Sequence, residues 1–541
     1  MEKRVAIFGG GIGGLSAAQE LAERGFDVVV YEGRGSFGGK ARSVSVPNTG
    51  IGGRKDLPGE HGFRFFPGFY KHVTNTMQRI PYGSNPRGVF DNLVEATRTQ
   101  IARVGKSELI LPDEFPQSAD DWATALRALF APDLGIPKLE IDFFINKLLI
   151  LLTSCEERRV AEYEKIPWWQ FIDAANKSEA YQRLLAQGQT RSLVAMRAEI
   201  GSTRTVGYTL LQLYLGALSP SSFDRLLNGP TSDVWIDPWV SYLRGRGVEM
   251  RAEAPLQSLH TDGKAITKAV VVQGGLPVDI QADFYVAALP VEIMATLVSE
   301  ELKAAAPSLA NLGLLRTAWM NGMQFYLDRD VPVVHGHSLY VDSPWALTSV
   351  SQKQFWQSTD LRRYGDGRVE GILSVCISDW EAPGVLYSKP AVKCTAEEIR
   401  NEVWAQLKMS LNDQGRPELD DANVLSWFLD PDIQFPNPTT VTNLEPLLVN
   451  TAGSLPYRPD AKTELRNLFL ASDYVKTYTD IACMEAANEA ARRAVNALLD
   501  AAGSNAARAQ LWPLQEPEFF RPMKEYDRLL FKLGLPHTKL A

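Results

Sequence analysis

Residues 5–32 read VAIFGGGIGGLSAAQELAERGFDVVVYE, and this stretch decides the fold. Residues 5–8 form a continuous apolar run, the pattern of a strand buried on both faces of a parallel sheet. The run leads directly into a glycine-rich turn, and small and apolar residues then recur at helical spacing until Gly25. Residues 28–31 predict a second buried strand. The stretch is therefore predicted to form a β-α-β unit.

The glycines of this unit match the fingerprint of an adenine-dinucleotide site. Gly9 permits the tight turn, Gly11 lets the backbone approach a pyrophosphate, and Gly14, next to Gly13, lets the helix pack on the strand. Glu32 lies near the ~20-residue distance at which an acid binds a ribose hydroxyl. The alternative is a glycine-rich turn without a ligand, but strand, glycines, helix and acid agree on a Rossmann-like α/β domain.

A basic, glycine-rich segment follows directly, with the sequence GRGSFGGKAR over residues 33–42. Its paired glycines expose backbone N–H groups, and its three cations supply positive charge beside the expected pyrophosphate. A solvated basic loop is the alternative, but the position after the β-α-β unit favours contact with a cofactor. The predicted contacts are Gly33, Arg34, Gly38, Gly39, Lys40, Ala41 and Arg42.

Taken together, these motifs resemble those of a flavin-binding superfamily. It contains the amine oxidases, the carotenoid desaturases, protoporphyrinogen oxidase and the Rab GDP-dissociation inhibitors. The resemblance implies FAD as the cofactor. It also implies a discontinuous, Rossmann-like GR2-type FAD-binding domain with an inserted substrate domain of helices and antiparallel sheet.

The segment GEHGFRFFPGFY, residues 59–70, combines glycines, aromatic rings, a histidine and an arginine. A core loop with a satisfied histidine is the alternative. The segment resembles the one that crosses the flavin ring in plant- and cyanobacterial-type phytoene and zeta-carotene desaturases. The resemblance implies flavin contacts at His61, Gly62 and Phe63. With Tyr478 further along the chain, His61 and Arg64 are the candidate catalytic residues for proton handling or substrate orientation.

The segment NLFLASDYVKTYTDIACME, residues 467–485, predicts a strand that ends near Asp473 and a helix that Thr479 or Asp480 is available to cap. It resembles the closing motif of the carotenoid desaturases more than that of the amine oxidases. A helix N-terminus under a flavin would stabilise the negative charge that reduction develops near N1. The implied cofactor contacts are Asp473, Ala482 and Met484.

The block from Val234 onward follows the superfamily's order and implies a backbone contact to adenine around Leu256. The motifs therefore place a discontinuous FAD-binding domain in residues 1–90, 234–300 and 455–500. The substrate-binding domain is predicted in residues 91–233, which are mainly helical, and 301–454. Strands of its sheet are expected at 318–327, 371–378 and 424–429.

Length and composition limit the classes of protein. A chain of 541 residues exceeds one ordinary core, and 45% apolar with 22% charged residues is typical of a folded globular protein. The net charge of −8 argues against nucleic-acid binding. The four cysteines are scattered without a Cys-x-x-Cys pair, and the pair His335 and His337 lacks further ligands at metal spacing, so no disulfide framework or metal site is predicted.

No stretch reaches the ~18 uncharged apolar residues of a membrane-spanning helix, and the N-terminus enters the first strand directly. A cytoplasmic protein is expected. The apolar helix at 139–152 is predicted to be buried in the substrate domain rather than to dip into a membrane. The amphipathic tail, residues 501–541, leaves three alternatives open: packing on its own domain, pairing in a homo-oligomer, or peripheral contact with a membrane.

The leading functional hypothesis is FAD-dependent desaturation of a largely apolar small molecule. Hydride would pass to flavin N5, a base or water would take the proton, and the electron acceptor, oxygen or a quinone, stays open. The alternatives are a flavin amine oxidase acting on a C–N bond, a non-redox flavin isomerase, and a lipid-binding protein like the GDP-dissociation inhibitors. Arg34 beside Glu32 also leaves NADP open in place of FAD.

Overall fold

The computed structural model describes residues 3–102, 135–217, 224–412, 418–437 and 440–538. Four stretches of the predicted substrate domain, 103–134, 218–223, 413–417 and 438–439, lie outside the described residues. The same holds for residues 1–2 and for residues 539–541 of the predicted tail.

The β-strands in the described residues are β1 (Arg4–Phe8), β2 (Asp27–Tyr31), β3 (Ser43–Val46), β4 (Leu57–Glu60), β5 (Phe65–Phe66), β6 (Leu93–Glu95), β7 (Arg98–Ala102), β8 (Arg225–Leu227), β9 (Glu249–Arg251), β10 (Leu256–Thr261), β11 (Ile266–Gln273), β12 (Leu276–Ile280), β13 (Phe284–Ala287), β14 (Arg316–Ala318), β15 (Asn321–Leu327), β16 (Gly336–Tyr340), β17 (Thr348–Ser351), β18 (Gly371–Ile377), β19 (Val424–Leu429), β20 (Ile433–Asn437), β21 (Thr440–Asn443), β22 (Leu447–Val449) and β23 (Leu468–Leu470).

The α-helices in the same residues are α1 (Ile12–Ala22), α2 (His72–Met77), α3 (Lys138–Thr153), α4 (Glu156–Ala161), α5 (Trp168–Phe171), α6 (Glu179–Tyr181), α7 (Gln189–Val194), α8 (Thr203–Ala217), α9 (Asp237–Gly245), α10 (Val291–Leu297), α11 (Glu300–Ala305), α12 (Ala396–Leu411), α13 (Met484–Ala501) and α14 (Arg521–Lys532).

The predicted β-α-β unit is confirmed and lies at the centre of a parallel sheet. The strand order is β23-β13-β1-β2-β9, and β1 pairs in parallel with β2 on one side and β13 on the other. Strands β1 and β2 are almost wholly buried, as their continuous apolar runs predict for a sheet covered on both faces. The five strands come from all three segments assigned to the cofactor domain.

Helix α1 lies unusually close to the backbone around it. A Cβ on Gly13 would come within 1.9 Å of the Ala471 carbonyl oxygen, and one on Gly14 within 1.8 Å of the Gly9 oxygen. Only glycine permits this packing. Helix α13 lies beside α1, where Asn488 Nδ2 donates a 2.7 Å hydrogen bond to Ser16 Oγ.

The second large sheet has the order β19-β15-β18-β17-β16-β7. Its pairs are antiparallel except β16 with β7, and the three strands predicted in residues 301–454 are confirmed as β15, β18 and β19. The described part of residues 91–233 is mainly helical as predicted, and its strand β7 adds a parallel edge strand to this sheet. Helix α12 covers the sheet, with Trp404 against Phe325.

The tail packs on the helical part of its own chain. Phe520 is fully buried in the core of helices α3 to α8, and helix α3 buries Phe144 and Leu148 there as predicted. Asp527 accepts hydrogen bonds from the Cys155 N–H at 2.8 Å and from Arg158 Nε at 2.9 Å. Within the described residues, no helix has the length and apolar character needed to cross a membrane.

His337 on β16 gives a prediction for stability against pH. Its ring is buried between Phe63 and Phe65, and burial lowers its pKa from 6.5 to about 4. Because the unfolded histidine binds its proton more tightly, unfolding takes up a proton between these pH values. The contribution of His337 to the free energy of unfolding is therefore fully present above pH 6.5, and up to about 3 kcal/mol is lost as the pH drops toward 4.

We expect the substitution His337→Leu to flatten this part of the stability profile. Urea unfolding across the acid range would measure it, with His260→Leu as the control, since His260 lies half-buried on β10. Equal slopes in the wild type and in His337→Leu would contradict the assignment.

Candidate active site

A cavity of about 450 Å³ lies at the carboxyl ends of the parallel strands, where open α/β sheets bind their ligands. Its wall combines the glycine turn after β1, the residues that follow β2, β13 and β23, and residues in or next to the second large sheet, such as Met320 and Cys376. The predicted site residues that line it are Gly9, Gly11, Gly13, Glu32, Gly33, Arg34, Gly38, Gly39, Lys40, Ala41, His61, Gly62, Phe63, Arg64, Leu256, Asp473, Ala482 and Met484.

Two glycine segments form one backbone cradle in this wall. Gly9 has a φ of 102°, and a Cβ there would meet the Ala288 oxygen at 2.4 Å. Gly38 N–H donates to the Gly10 oxygen at 2.8 Å, and a Cβ on Gly39 would lie 2.9 Å from Gly11 Cα. Helix α1 begins beside this cradle without a side-chain cap. Its first N–H groups therefore suit an anion such as a pyrophosphate.

Glu32 sits over the same turn at the end of β2. One carboxylate oxygen accepts from the Gly10 N–H at 2.7 Å and the other from the Arg34 N–H at 2.8 Å. Its backbone oxygen accepts from Ala254, which holds the following Pro255 and Leu256 beside it in the cavity wall. The acid is thus oriented at the position that the fingerprint assigns to a ribose contact.

Arg34 does not offer a free cation at this end of the cavity. Its guanidinium lies 2.9 Å from Asp432 and 2.8 Å from Glu445. Burial alone would lower the pKa of Arg34, but the two carboxylates outweigh it and raise the pKa. Because both carboxylates engage this side chain, the structure disfavours its use for the 2′-phosphate of NADP.

The other cations of the basic segment are paired as well. Lys40 Nζ lies 3.0 Å from Glu292 and also contacts the Pro446 oxygen. Arg42 Nη2 lies 2.8 Å from Asp432 and Nη1 3.2 Å from Glu445, so this buried side chain stands behind the cavity wall rather than in it. These pairs join the cofactor domain to the stretch that follows β19. No local motif marked Asp432 or Glu445, since their partners lie about 400 residues earlier in the chain.

The loop after β4 brings His61, Gly62, Phe63 and Arg64 into the cavity wall, which Met320 and Cys376 also line. Nδ1 of His61 lies 2.7 Å from Asp430 Oδ2. Burial lowers the pKa of the Arg64 guanidinium, although Glu60 partly offsets this effect. Burial also raises the pKa of the Cys376 thiol to about 11, so this cysteine is a neutral wall residue near pH 7.

In the segment 467–485, the residue that caps helix α13 differs from the prediction. Helix α13 begins at Met484, and its N-cap is Cys483, whose Sγ accepts from the Ala486 N–H at 3.4 Å. The predicted caps Thr479 and Asp480 are wrong, because the Asp480 carboxylate is engaged by Arg204 at 2.6 Å and by Arg458. The N-terminus of α13 nevertheless faces the cavity, which Ala482, Cys483 and Met484 line.

Three predicted residues lie outside the lining. Gly14 is packed under the turn, and Arg42 lies behind the wall as described. Tyr478 is 41% exposed, and its backbone N–H donates to the Glu489 carboxylate. The Arg493 guanidinium lies 4.5 Å from the centroid of its ring. The structure therefore gives Tyr478 no place beside the cavity, because the chain turns its ring outward before α13.

The parallel sheet, the glycine cradle and the cavity beside them are those of a dinucleotide-binding fold. Residues 12–499 match the family described as "Flavin containing amine oxidoreductase", and the chain belongs to that family. It is accordingly an FAD-dependent oxidoreductase, as the resemblance implied.

Curated relatives of similar length are carotenoid desaturases. The "Probable zeta-carotene desaturase" of Synechococcus elongatus is 25% identical over 540 residues, covering 92% of this chain and 99% of the relative. The "15-cis-phytoene desaturase" of the same organism is 24% identical over 490 residues, covering 87% and 90%.

Among solved structures, the fold is similar to "Cyclohexylamine Oxidase" from Brevibacterium oxydans, with a TM-score of 0.60 and 14% identity over 93% of this chain and 100% of that one. It is also similar to a "Putative protoporphyrinogen oxidase" from Exiguobacterium, with a TM-score of 0.54 and 16% identity over 92% and 98%. At these identities the likeness shows the fold alone.

A pair of glycine variants tests the cradle. A Cβ on Gly11 would meet Gly39 atoms at 3.6 Å or more, and a larger side chain would occupy the cradle that the fingerprint assigns to a pyrophosphate. We therefore expect Gly11→Leu to fold but to lose its visible flavin absorbance. Gly13→Ala should instead lower the thermal stability of the flavin-free protein, since its Cβ would strike the Ala471 oxygen. Full flavin content in Gly11→Leu would contradict the cradle.

Proposed function

We propose that FAD lies along the cavity from Glu32 to His61. Glu32 would hold the ribose, the glycine cradle and the start of α1 the pyrophosphate, and Leu256 the adenine end. Gly62, Phe63 and the N-terminus of α13 would border the flavin ring. The positive end of α13 suits the charge that reduction places on that ring. The remaining proposed contacts are Gly33, Gly38, Gly39, Lys40, Ala41, Asp473, Ala482 and Met484.

We further propose that the enzyme desaturates a largely apolar substrate. The observation that carries this proposal is the apolar part of the cavity wall, which is formed by Phe63, Met320, Cys376, Leu444 and Leu447. The match to carotenoid desaturases over nearly the full length of the chain supports it. FAD supplies a hydride acceptor when bound, while the chain supplies position, water exclusion and proton handling.

Amine oxidation is the second candidate, because a specific feature favours it. Glu292 and Glu445 line the cavity and could attract a cationic amine. Both carboxylates, however, already face Lys40 or the two arginines at 2.8 to 3.2 Å. A cationic substrate would have to compete with these pairs, which favours the apolar substrate.

Anaerobic bleaching of the flavin distinguishes the two candidates. We expect extended isoprenoid hydrocarbons to bleach it and small amines to leave it oxidised. Burial contributes about 0.8 kcal/mol per CH₂, so each methylene removed should weaken binding roughly fourfold. Rapid bleaching by an amine, with no response to hydrocarbons, would replace the desaturase proposal by amine oxidation. Reoxidation by oxygen or by a soluble quinone would then identify the class of electron acceptor.

We also propose that the enzyme meets this substrate at a membrane surface. Tyr526, Leu529 and Leu533 are 54–64% exposed on the outer side of α14, with Arg521 and Lys532 exposed nearby. Such a face suits an anionic lipid surface.

We expect the full-length protein to sediment with anionic phospholipid vesicles and Leu529→Glu to reduce this binding severalfold. Leu276→Glu is the matched control, because Leu276 is 68% exposed on a hairpin of the cofactor domain. Equal binding by both variants, or none by the wild type, would contradict the membrane proposal.

A further inference from the structure

We propose that Asp430 is a positioning residue for His61: it holds the ring proton on Nδ1, so that Nε2 faces the cavity as the base that accepts the substrate proton. The tautomer of His61 is set without any substrate, whereas its role as the base rests on the proposed desaturation.

The histidine presents one edge to carboxylates and the other to the cavity. Nδ1 lies 2.7 Å from Asp430, 3.6 Å from Glu445 and 3.9 Å from Asp432, and it is fully buried. His61 lines the cavity, and because Nδ1 is buried toward the carboxylates, we infer that the edge with Nε2 faces the cavity. Nδ1 makes no well-aligned hydrogen bond, but such contacts often tighten only when a ligand binds.

Hydrogen bonds fix the Asp430 carboxylate in position beside His61. Its side chain is fully buried at the end of β19, and it accepts from Asn321 Nδ2 at 2.7 Å and from the Asp432 N–H at 3.1 Å. Burial would raise the pKa of Asp430, but His61 and these hydrogen bonds outweigh it and lower the pKa. The carboxylate therefore remains charged beside His61 near neutral pH.

Strand β15 fixes the backbone of the histidine as well. The Gly322 N–H donates to the His61 oxygen at 2.8 Å, and the Asp430 N–H donates to the Gly322 oxygen at 3.0 Å. A Cβ on Gly322 would lie 2.7 Å from the Gly62 nitrogen, so only glycine lets the loop approach this closely. His61 and Asp430 are thus set relative to each other by one glycine.

A second histidine–carboxylate pair, His72 with Glu485, differs from the pair of His61 with Asp430 in the use of Nε2. Nδ1 of His72 lies 2.7 Å from Glu485, as in the first pair, but its Nε2 accepts from the Trp512 N–H at 3.0 Å. Both ring nitrogens of His72 are therefore used. Among the described residues, no hydrogen bond engages Nε2 of His61.

The charges around His61 also argue against a metal ion. One ligand atom each from His61, Asp430 and Asp432 lies within 4.8 Å of the others. Arg34 and Arg42 already face Asp432 at 2.9 and 2.8 Å and so balance its charge. The group is a network of ion pairs in which Asp430 is left to orient the histidine.

The oxidant is FAD, which when bound would supply the hydride acceptor for one substrate carbon. His61 Nε2 accepts the proton from the neighbouring carbon, and the electron pair of that broken C–H bond becomes the second bond of the new alkene. An Nδ1–H held by a carboxylate leaves Nε2 with its lone pair, which is the form that this step requires.

Nitrogen-15 NMR of the FAD-loaded protein, labelled at histidine, tests the positioning claim. The chain has six histidines, so His61→Gln identifies the signal. In mildly alkaline solution we expect a proton on Nδ1 in the wild type and a shift toward Nε2–H in Asp430→Asn. A wild-type proton on Nε2, or an unchanged tautomer in Asp430→Asn, would overturn the role of Asp430.

Flavin bleaching by an apolar substrate tests the proton step. We expect Asp430→Asn and His61→Ala to slow bleaching about 10²-fold or more, with little change in substrate binding. Added imidazole should restore part of the rate in His61→Ala. This variant tests the proton step even if Asp430→Asn does not fold. His260→Gln is the control, since that ring pairs with Ser258 outside the cavity lining.

A wild-type bleaching rate in His61→Ala would overturn the proton role. If no apolar substrate bleaches the flavin, the proposed desaturation fails, while the NMR result still decides whether Asp430 sets the tautomer.

Discussion

The structure depends on the close contact between the glycine turn after β1 and the backbone of two distant segments. Gly9 lies against Ala288 after β13, and Gly13 lies against Ala471 after β23. Any side chain at these glycines would overlap a carbonyl oxygen, so only glycine lets the turn approach the other two segments this closely. The same contact places the start of α1 and the end of β23 in one cavity wall, which is how a discontinuous domain builds a single cofactor site.

A buried network of charges then joins the two domains. Arg34 and Arg42 bind Asp432 and Glu445, and His61 binds Asp430 within the same network. Because each arginine faces both carboxylates, truncating one member would weaken the compensation of charges that are largely buried, which destabilises the network. The network therefore holds the wall that carries His61 at a defined place over the cavity, and it removes cations that would otherwise be free to bind a phosphate.

Predictions from sequence succeeded where the signal was local. The apolar run at Val5, the glycine turn and the helical spacing each act over a few residues, and the parallel pairing of β1 with β2 follows them. The cap of α13 was predicted wrongly because Asp480 had a polar side chain at the right distance but was engaged by arginines from two other parts of the chain. Local capping preference yielded to these buried ion pairs.

The β-α-β unit, the glycine cradle and three strands of the second large sheet could be predicted from sequence, since apolar runs and glycine spacing encode them locally, and the flavoprotein class followed from the resemblance of the motifs. Only the tertiary structure decided which charges are free, that Tyr478 faces away from the cavity, that the tail packs on its own chain, and that Asp430 faces His61. Arg34 and Asp432 are 398 residues apart, and Asp430 reaches His61 because β15 pairs with β19. The physical reason is that strand pairing and buried ion pairs bring together residues whose chemistry leaves no mark on their neighbours in the sequence.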